Sequence, residues 1–215
     1  MRSALAFVLL ASATTAACTS ASPTGTETFD SVKDRLATKP TRLYIGSEGS
    51  NGTITAKRWT ADGWIEGQTP VTISSGELSA SVNKTGTLKL EAFEVGVAPI
   101  DIPEEVFKKP AQLKDVRVKM TNAAEGQTNW TSDDDATVTL TLDLDLDWSI
   151  AVNGAQTPLG TQHLPPVPLD VVLTGAGDHV DASIGLHASG ELWDWAGLLE
   201  LTGLEMSLSA ETTDN

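Results

Sequence analysis

TVTLTLDLDLDWSIAV, residues 137–152, is the stretch that decides the fold of this chain. Every second residue from Val138 to Val152 is apolar, and the residues between them are mainly threonine and aspartate. Successive side chains of a β-strand point to opposite faces of the sheet. The alternation therefore predicts a strand with one buried face and one face in water, as antiparallel sheets commonly have.

This predicted strand is unusually long. At about 3.3 Å per residue it would span roughly 50 Å, whereas most strands have about five or six residues. A strand of that length overruns a small sandwich unless it bends and serves two groups of neighbours. We therefore predict an all-β fold, an antiparallel sandwich or a strongly curved sheet or barrel, with one long strand at about 137–152 and a short N-terminal helix.

The chain after Thr41 alternates at period two almost throughout, with turn signals between the runs. Three dipeptides, Asn51-Gly52, Asp62-Gly63 and Asn153-Gly154, tolerate positive backbone angles and predict tight hairpin turns. Antiparallel neighbours follow from such turns. Besides the long strand, strands are expected near 42–46, 53–59, 64–66, 70–74, 77–83, 87–97, 113–120, 168–174, 179–189 and 199–210.

Helical signals are few. Residues 28–37 predict one short helix, which Thr28 or Asp30 can cap and in which Val32 and Leu36 share a face. A single helical turn is expected at 104–108, inside a loop bracketed by prolines.

The apolar rows of two predicted strands change phase. In residues 87–97 the apolar positions move from even to odd numbers after Leu90, and in residues 199–210 they move from odd to even after Gly203. A bulge adds one residue to a strand and shifts its alternation by one position. Both strands are therefore expected to contain a bulge or a bend.

Two repeats raise the question of an internal duplication. The two phase breaks align at an offset of 111 residues, and Ser-Gly-Glu-Leu occurs at 75–78 and at 189–192. Alternating strands resemble one another in any case. We expect a single all-β domain over 29–215, and two related halves at about 40–122 and 136–212 stay open.

Charge limits the partners of the protein. The 215 residues include 14 basic and 29 acidic ones, a formal net charge of −15 at pH 7. Such a chain is repelled by nucleic acid and by anionic lipid surfaces, so we expect no nucleic-acid partner. With one cysteine in the chain, no disulfide can form within it, and stability has to come from packing.

The N-terminus indicates export. The chain begins Met1-Arg2-Ser3, and residues 4–11 are apolar. A short cationic end followed by a short apolar run is typical of a secretory signal peptide. The segment ends Thr15-Ala16-Ala17-Cys18, with small residues before the single cysteine. This resembles the lipobox of bacterial lipoproteins, although that family usually has leucine at the position of Thr15.

The lipobox resemblance implies that residues 1–17 are removed as a signal peptide and that Cys18 becomes a lipidated N-terminus. The alternative is ordinary cleavage that leaves an unmodified thiol. Residues 19–28 have no large apolar side chain, so 18–28 is expected to be the lipidated cysteine and a flexible tether. Gram-negative lipoproteins with aspartate after the cysteine tend to stay in the inner membrane. Thr19 at that position implies the outer membrane.

No sequence motif predicts catalysis, a cofactor or a metal site. Asp143, Asp145 and Asp147 alternate along one strand, about 6.6 Å apart, whereas calcium needs oxygens that converge at about 2.4 Å. They are expected to form a solvated face. The three histidines have no ligand spacing, and His179 beside Asp181 lacks a third convergent ligand. We expect the protein not to be an enzyme.

Tryptophan is the notable aromatic residue, with six copies beside one tyrosine. Trp59 and Trp64 flank the Asp62-Gly63 turn and are expected to pair across a hairpin. If exposed, such a pair suits sugars or apolar ligands; if buried, it belongs to the core.

Two functions follow from these features. The first is an exported, lipid-anchored protein of the bacterial cell envelope, in the outer membrane and facing the periplasm or the cell surface. It would be a non-enzymatic binding or scaffolding module for an envelope protein or a glycan, joined to the membrane through its N-terminal lipid. The alternative is a carrier or sensor of a lipid or other hydrophobic ligand. Its ligand face would be the long apolar row, for which filling a core is the favoured alternative: Leu140, Leu142, Leu144, Leu146 and Trp148.

Replacing Cys18 tests the anchor. Radioactive palmitate is expected to label the native protein and not the Cys18→Ala variant, and the variant is expected to leave the membrane fraction, because the acyl chains would supply the membrane affinity. A Cys18→Ala protein that stays equally membrane-bound would exclude the lipid anchor.

Overall fold

The computed structural model describes residues 28–176, 179–195 and 199–213. The predicted signal peptide, Cys18 and nearly all of the predicted tether lie outside the described residues, so these stay predictions. Within the described ranges, no helix is long and apolar enough to cross a membrane.

The described residues form an antiparallel all-β fold, as the sequence predicts. The two helices are α1 (Val32–Thr38) and α2 (Glu104–Phe107). The strands are β1 (Thr41–Ile45), β2 (Asn51–Thr60), β3 (Gly63–Val71), β4 (Ile73–Val82), β5 (Thr87–Val97), β6 (Ile100–Ile102), β7 (Ala111–Met120), β8 (Ala124–Gln127), β9 (Asn129–Trp130), β10 (Ala136–Leu142), β11 (Leu144–Val152), β12 (Ala155–His163), β13 (Val167–Ala176), β14 (His179–Trp195) and β15 (Leu199–Glu211).

The long predicted strand is present as β10 and β11, which follow each other with only Asp143 between them. Its first part pairs with β9 and β13, and its second part pairs with β7 and β12. The carbonyl of Asp143 still accepts a hydrogen bond from the Thr121 amide, at 3.0 Å. The strand therefore changes neighbours at Asp143, as a strand too long for one set of partners must.

The sheet curls back on itself because of this strand. Its strands are hydrogen-bonded in the order β12-β11-β7-β5-β4-β1-β15-β14-β13-β10-β9, and every pair is antiparallel. β11 lies near one end of that path and β10 near the other, yet they are consecutive parts of one strand. The two ends of the path therefore meet, and the strongly curved alternative of the sequence analysis is confirmed.

The short strand β8 lies in the gap between β5 and β10. It pairs with the first residues of β5, while Gly126 faces β10. A Cβ atom on Gly126 would lie 2.7 Å from Leu140 Cδ2 and 2.8 Å from the Thr139 carbonyl oxygen. Only glycine lets the two strands approach so closely, and this contact joins the curled sheet along that side.

Both predicted phase breaks coincide with irregular pairing. The register between β4 and β5 shifts where Ser79 gives way to Ala80, opposite Leu90 and Ala92. The register between β15 and β2 shifts between Thr202 and Glu205, around Gly203, whose φ is +59°. The two predicted bulges are therefore confirmed. The Ser-Gly-Glu-Leu segment of β14 includes register shifts, whereas the one in β4 pairs with β5 in continuous register.

Two of the three predicted hairpin turns are confirmed. Gly63 has a φ of +114° at the β2–β3 turn, and Asn153 and Gly154 have φ values of +50° and +82° at the β11–β12 turn. The prediction at Asn51-Gly52 is wrong, because both residues lie in β2. A Cβ atom on Gly52 would lie 2.5 Å from the Glu205 carbonyl oxygen, so the glycine is needed for close packing and not for a turn.

The strand β12 was not expected from the sequence. Its residues, AQTPLGTQH, are mostly exposed and show no apolar alternation. It lies at one end of the strand order, beside β11. Edge strands commonly carry polar residues and proline, which keep them from pairing with other chains, so period-two hydrophobicity does not find them.

The predicted N-terminal helix is shorter than expected and is capped by Ser31, whose Oγ accepts from the Asp34 amide, and not by Thr28 or Asp30. Its Val32 and Leu36 are buried, as predicted. The Val32 amide donates to Asp134 Oδ1 at 3.0 Å, which fixes the helix to the loop before β10. Because α1 also contacts β4 and β13, it covers one end of the curled sheet. The predicted turn at 104–108 is present as α2.

Gly126→Ala tests the contact between β8 and β10. The added methyl group is expected to lower the free energy of unfolding by about 1–3 kcal/mol, since overpacking against a backbone carbonyl forces strands apart. Urea unfolding followed by circular dichroism measures it. Gly185→Ala is the matched control, because its Cβ would meet only His187 Nε2, at 3.5 Å. Equal stability of the two variants would contradict the close approach.

Candidate functional site

The apolar row predicted as a ligand face lies in the core. Leu140, Leu142, Leu144, Leu146 and Trp148 are each at most 4% exposed. They belong to one continuous cluster of buried apolar residues, and none of them lines the two outer grooves described below. The Trp148 ring contacts Trp193, with ring centroids 6.2 Å apart. This packing favours the filled-core alternative.

Trp148 is the one member of the row with an unpaired polar atom. Its Nε1 is buried and has no hydrogen-bond partner. A buried N–H group without a partner loses its hydrogen bond to water. The hydrophobic-ligand role of the row stays a prediction.

The aspartates of β11 lie on the outer face, and each has its own neighbours. Asp145 Oδ1 is 3.0 Å from His163 Nδ1, and Asp147 accepts a hydrogen bond from the Thr161 hydroxyl. On the other side, Lys119 lies opposite Asp145 and Arg117 opposite Asp147. Cross-strand pairs of opposite charge stabilise an exposed sheet face. The arrangement fits the predicted solvated face.

A polar groove lies beside the bulge of β7, where the register with β11 shifts between Arg117 and Lys114. Asp115 has a φ of +54°, and its carboxylate accepts hydrogen bonds from Ser149 Oγ at 3.1 Å and Gln156 Nε2 at 2.6 Å. The groove beside it has a volume of about 760 Å³ and polar walls. It is lined by Ser74, Ser75, Glu77, Glu94, Gln112, Lys114, Asp115 and Arg117, among others. Glu94 and Arg117 form an ion pair at 3.0 Å. Their charges cancel, so this pair does not attract a charged ligand to the groove.

The clearest exposed feature is the tryptophan pair at the β2–β3 hairpin. Trp59 and Trp64 lie directly opposite each other, next to the Asp62-Gly63 turn. Their ring centroids are 5.4 Å apart, with an angle of 69° between the ring planes. The side chains are 50% and 45% exposed. The predicted cross-hairpin pair is confirmed, and it lies outside the core.

The pair lies on the polar face of the hairpin. On the inner side, Ile54 and Ala56 of β2 are buried. On the outer side, Lys57 Nζ is 3.2 Å from Glu66 Oε2, and these two residues form the next cross-strand pair on the face that carries the tryptophans. Two large aromatic side chains on a face of charged residues contribute little to the core. Exposed apolar patches rimmed by polar groups mark interaction sites.

A shallow acidic groove begins at the same hairpin. Lys57 forms part of its wall, and its volume is about 360 Å³. The other charged or polar side chains that line it come from β14 and β15: His187, Ser189, Glu191, Glu200, Thr202 and Glu205. The tryptophan pair and the groove therefore share one outer surface formed by β3, β2, β15 and β14, which we call the hairpin surface.

A second polar cluster lies at the other end of β14. His179 Nε2 is 3.1 Å from Asp181 Oδ1, and Glu211 of β15 lies opposite Asp181. One ligand atom from each of the three lies within 4.8 Å of the others. Sequence reasoning missed Glu211, because it is brought in by the pairing of β14 with β15. The register of that hairpin is the signal that could have found it.

Comparisons with known proteins give little guidance. No family model matches the chain, and no curated protein matches it. Two solved structures of Ail, the attachment invasion locus protein of Yersinia pestis, overlap it with TM-scores of 0.41 and 0.38, at 6% and 8% identity. Each covers 80% of this chain and 99% of its own. The first is a complex with the heparin analogue sucrose octasulfate. Likeness at this level carries no functional argument.

Proposed function

We propose that this chain is an exported, lipid-anchored protein of the bacterial cell envelope and acts as a non-enzymatic binding module for a saccharide. The observation that carries the proposal is the exposed Trp59–Trp64 pair on the hairpin surface. Export and the lipid on Cys18 rest on the N-terminal sequence. The binding role rests on the geometry of the hairpin.

The tryptophan pair stabilises the hairpin only modestly. A cross-strand aromatic pair contributes about 0.2–1 kcal/mol relative to alanines, and smaller side chains would serve this turn with less exposed apolar surface. Tryptophan is enriched among the residues that dominate binding energy at interfaces. Roughly half of each side chain is free to contact a ligand. The pair is therefore placed for binding.

The angled geometry suits a sugar ring. With the planes 69° apart, one ring presents its face where the other presents its edge, which leaves a corner between them. Sugar rings have apolar C–H faces, which pack on aromatic rings, and hydroxyl groups at their rims. The groove beside the pair supplies carboxylates from Glu191, Glu200 and Glu205, which accept hydrogen bonds from such hydroxyls.

The charge of the chain narrows the choice of saccharide. A net charge of −15 and an acidic groove repel polyanionic glycans. Neutral sugars and amino sugars meet no such repulsion. A glycan of the cell wall or cell surface with those properties is accessible to a protein tethered in the envelope by a lipid and a short flexible segment.

The saccharide proposal is preferred to the hydrophobic carrier. The five side chains that a carrier would use are packed in the core, whereas Trp59 and Trp64 are open to solvent. A ligand can reach the hairpin surface without any rearrangement of the sheet.

Titration with neutral and N-acetylated oligosaccharides, followed by tryptophan fluorescence and calorimetry, tests the proposal. The native chain is expected to bind at least one of them. Trp59→Ala and Trp64→Ala are expected to weaken that binding by about tenfold or more, because each removes a stacking surface. Both variants are expected to keep the native free energy of unfolding within about 1 kcal/mol, because neither side chain is buried and a cross-strand aromatic pair contributes no more than that.

Tyr44→Ala is the matched control, since Tyr44 is 40% exposed on β1 and does not belong to the hairpin surface. It is expected to bind like the native chain. Absence of binding to every saccharide in the panel would refute the proposal. So would equal weakening in the Tyr44 and tryptophan variants.

A further inference from the structure

Three metal-ligating side chains meet on the outer face where β14 begins and β15 ends. His179 and Asp181 are two residues apart on β14, so they point to the same side, and the buried Val180 between them points inward. Glu211 lies directly opposite Asp181 on β15. The imidazole and both carboxylates therefore face the same solvent space.

The distances suit a single ion. His179 Nε2 and Asp181 Oδ1 are 3.1 Å apart, and one ligand atom from each residue lies within 4.8 Å of the other two. A zinc ion binds nitrogen and oxygen ligands at about 2.0–2.2 Å, so ligands of one ion lie about 3–4 Å from one another. The side chains of His179 and Asp181 are 42% and 50% exposed. Small side-chain rotations in open solvent would close the remaining gap.

Among the residues that the structure describes, no lysine or arginine forms an ion pair with the carboxylates of Asp181 and Glu211, whereas such cations lie beside another pair of like charges in the sheet. Like charges directly opposite each other on neighbouring strands are destabilising. Glu77 and Glu94 form such a pair, and an arginine relieves each of them, Arg42 at 3.8 Å and Arg117 at 3.0 Å.

In the described part of the chain, no arginine or lysine offsets the repulsion between Asp181 and Glu211. Among the described residues, neither Asp181 nor Glu211 forms an ion pair with lysine or arginine, and Asp181 is paired only with His179. A bound divalent cation would supply the missing positive charge between the two strands.

A second histidine–aspartate pair in the same sheet serves as an internal comparison. His163 Nδ1 is 3.0 Å from Asp145 Oδ1, which matches the His179–Asp181 distance closely. The residue opposite Asp145 on β7, however, is Lys119. A lysine occupies the position that Glu211 takes in the first cluster. The two pairs thus differ in the third residue, a cation in one and a carboxylate in the other.

We propose that His179, Asp181 and Glu211 form a binding site for a divalent transition metal, with zinc as the best fit. An imidazole together with carboxylates favours zinc over calcium and magnesium, which prefer oxygen ligands alone. Three protein ligands leave at least one position for water or for a group from another molecule. The bound ion links the start of β14 to the last residue of β15.

This site is independent of the hairpin surface. Glu211 ends β15, while Leu199 at its other end pairs beside the Trp59–Trp64 hairpin. Twelve residues of extended strand separate these two ends of β15 by roughly 40 Å, and the nearest groove residues of the hairpin surface, His187 and Glu205, are six residues or roughly 20 Å from the cluster. Failure of saccharide binding therefore leaves the metal proposal intact, and the reverse also holds.

Zinc binding to the untagged full chain, freed of metals with a chelator, tests the proposal. The measurements are calorimetry and thermal unfolding with zinc chloride, in a Cys18→Ala background so that the thiol cannot take up zinc. One zinc ion per chain is expected, with a rise in the unfolding temperature. His179→Ala and Glu211→Gln are each expected to weaken binding more than about tenfold, since loss of even an outer-shell partner costs that much.

His163→Ala is the matched control and is expected to bind zinc like the parent. Glu211→Gln gives a second signature: without metal it is expected to unfold at a higher temperature than the parent, because it removes the repulsion with Asp181. The proposal is overturned if the parent shows no saturable zinc binding, or if His179→Ala binds as tightly as His163→Ala.

Discussion

Burial of one apolar row along residues 138–152 is the constraint on which the rest of the fold depends. The row is too long for one set of neighbours, so β10 and β11 pair with different strands on either side of Asp143. Because these two strands lie near opposite ends of the hydrogen-bonded order, their continuity forces the sheet to curl back on itself. Apolar rows then face one interior, and α1 covers one of its ends.

This arrangement leaves the outer face for function. The inner rows of the sheet are packed against one another. Because the chain has a single cysteine, no disulfide within it adds to this packing. The outer rows carry threonine, aspartate, glutamate and lysine, which form cross-strand pairs and remain hydrated. The Trp59–Trp64 pair and the cluster of His179, Asp181 and Glu211 depart from that pattern. They lie towards opposite ends of β15, so the molecule presents two separate surfaces to its surroundings.

Features set by local alternation could be predicted from the sequence, and features set by distant partners could not. The long strand, both bulges and the Trp59–Trp64 pair follow from periodicity and a turn signal within a few residues. Asn51-Gly52 resembles a turn signal in the sequence. The real reason for the glycine is its close approach to the Glu205 carbonyl, a residue too distant in sequence to be foreseen. Strand β12 was missed because it is a polar edge. Glu211 was missed because a cross-strand ligand appears only once the register is known.

The most direct test of the filled interior is the stability of Leu142→Ala and Leu144→Ala. Both side chains are fully buried on the inner face, one on each side of Asp143. Urea unfolding followed by tryptophan fluorescence gives the free energy of unfolding of each variant. A tightly packed core predicts a loss of about 2–5 kcal/mol for each substitution, because each removes buried methyl groups and leaves a cavity. A loss below about 1 kcal/mol at both positions would contradict the filled core and indicate that the row lines an open space.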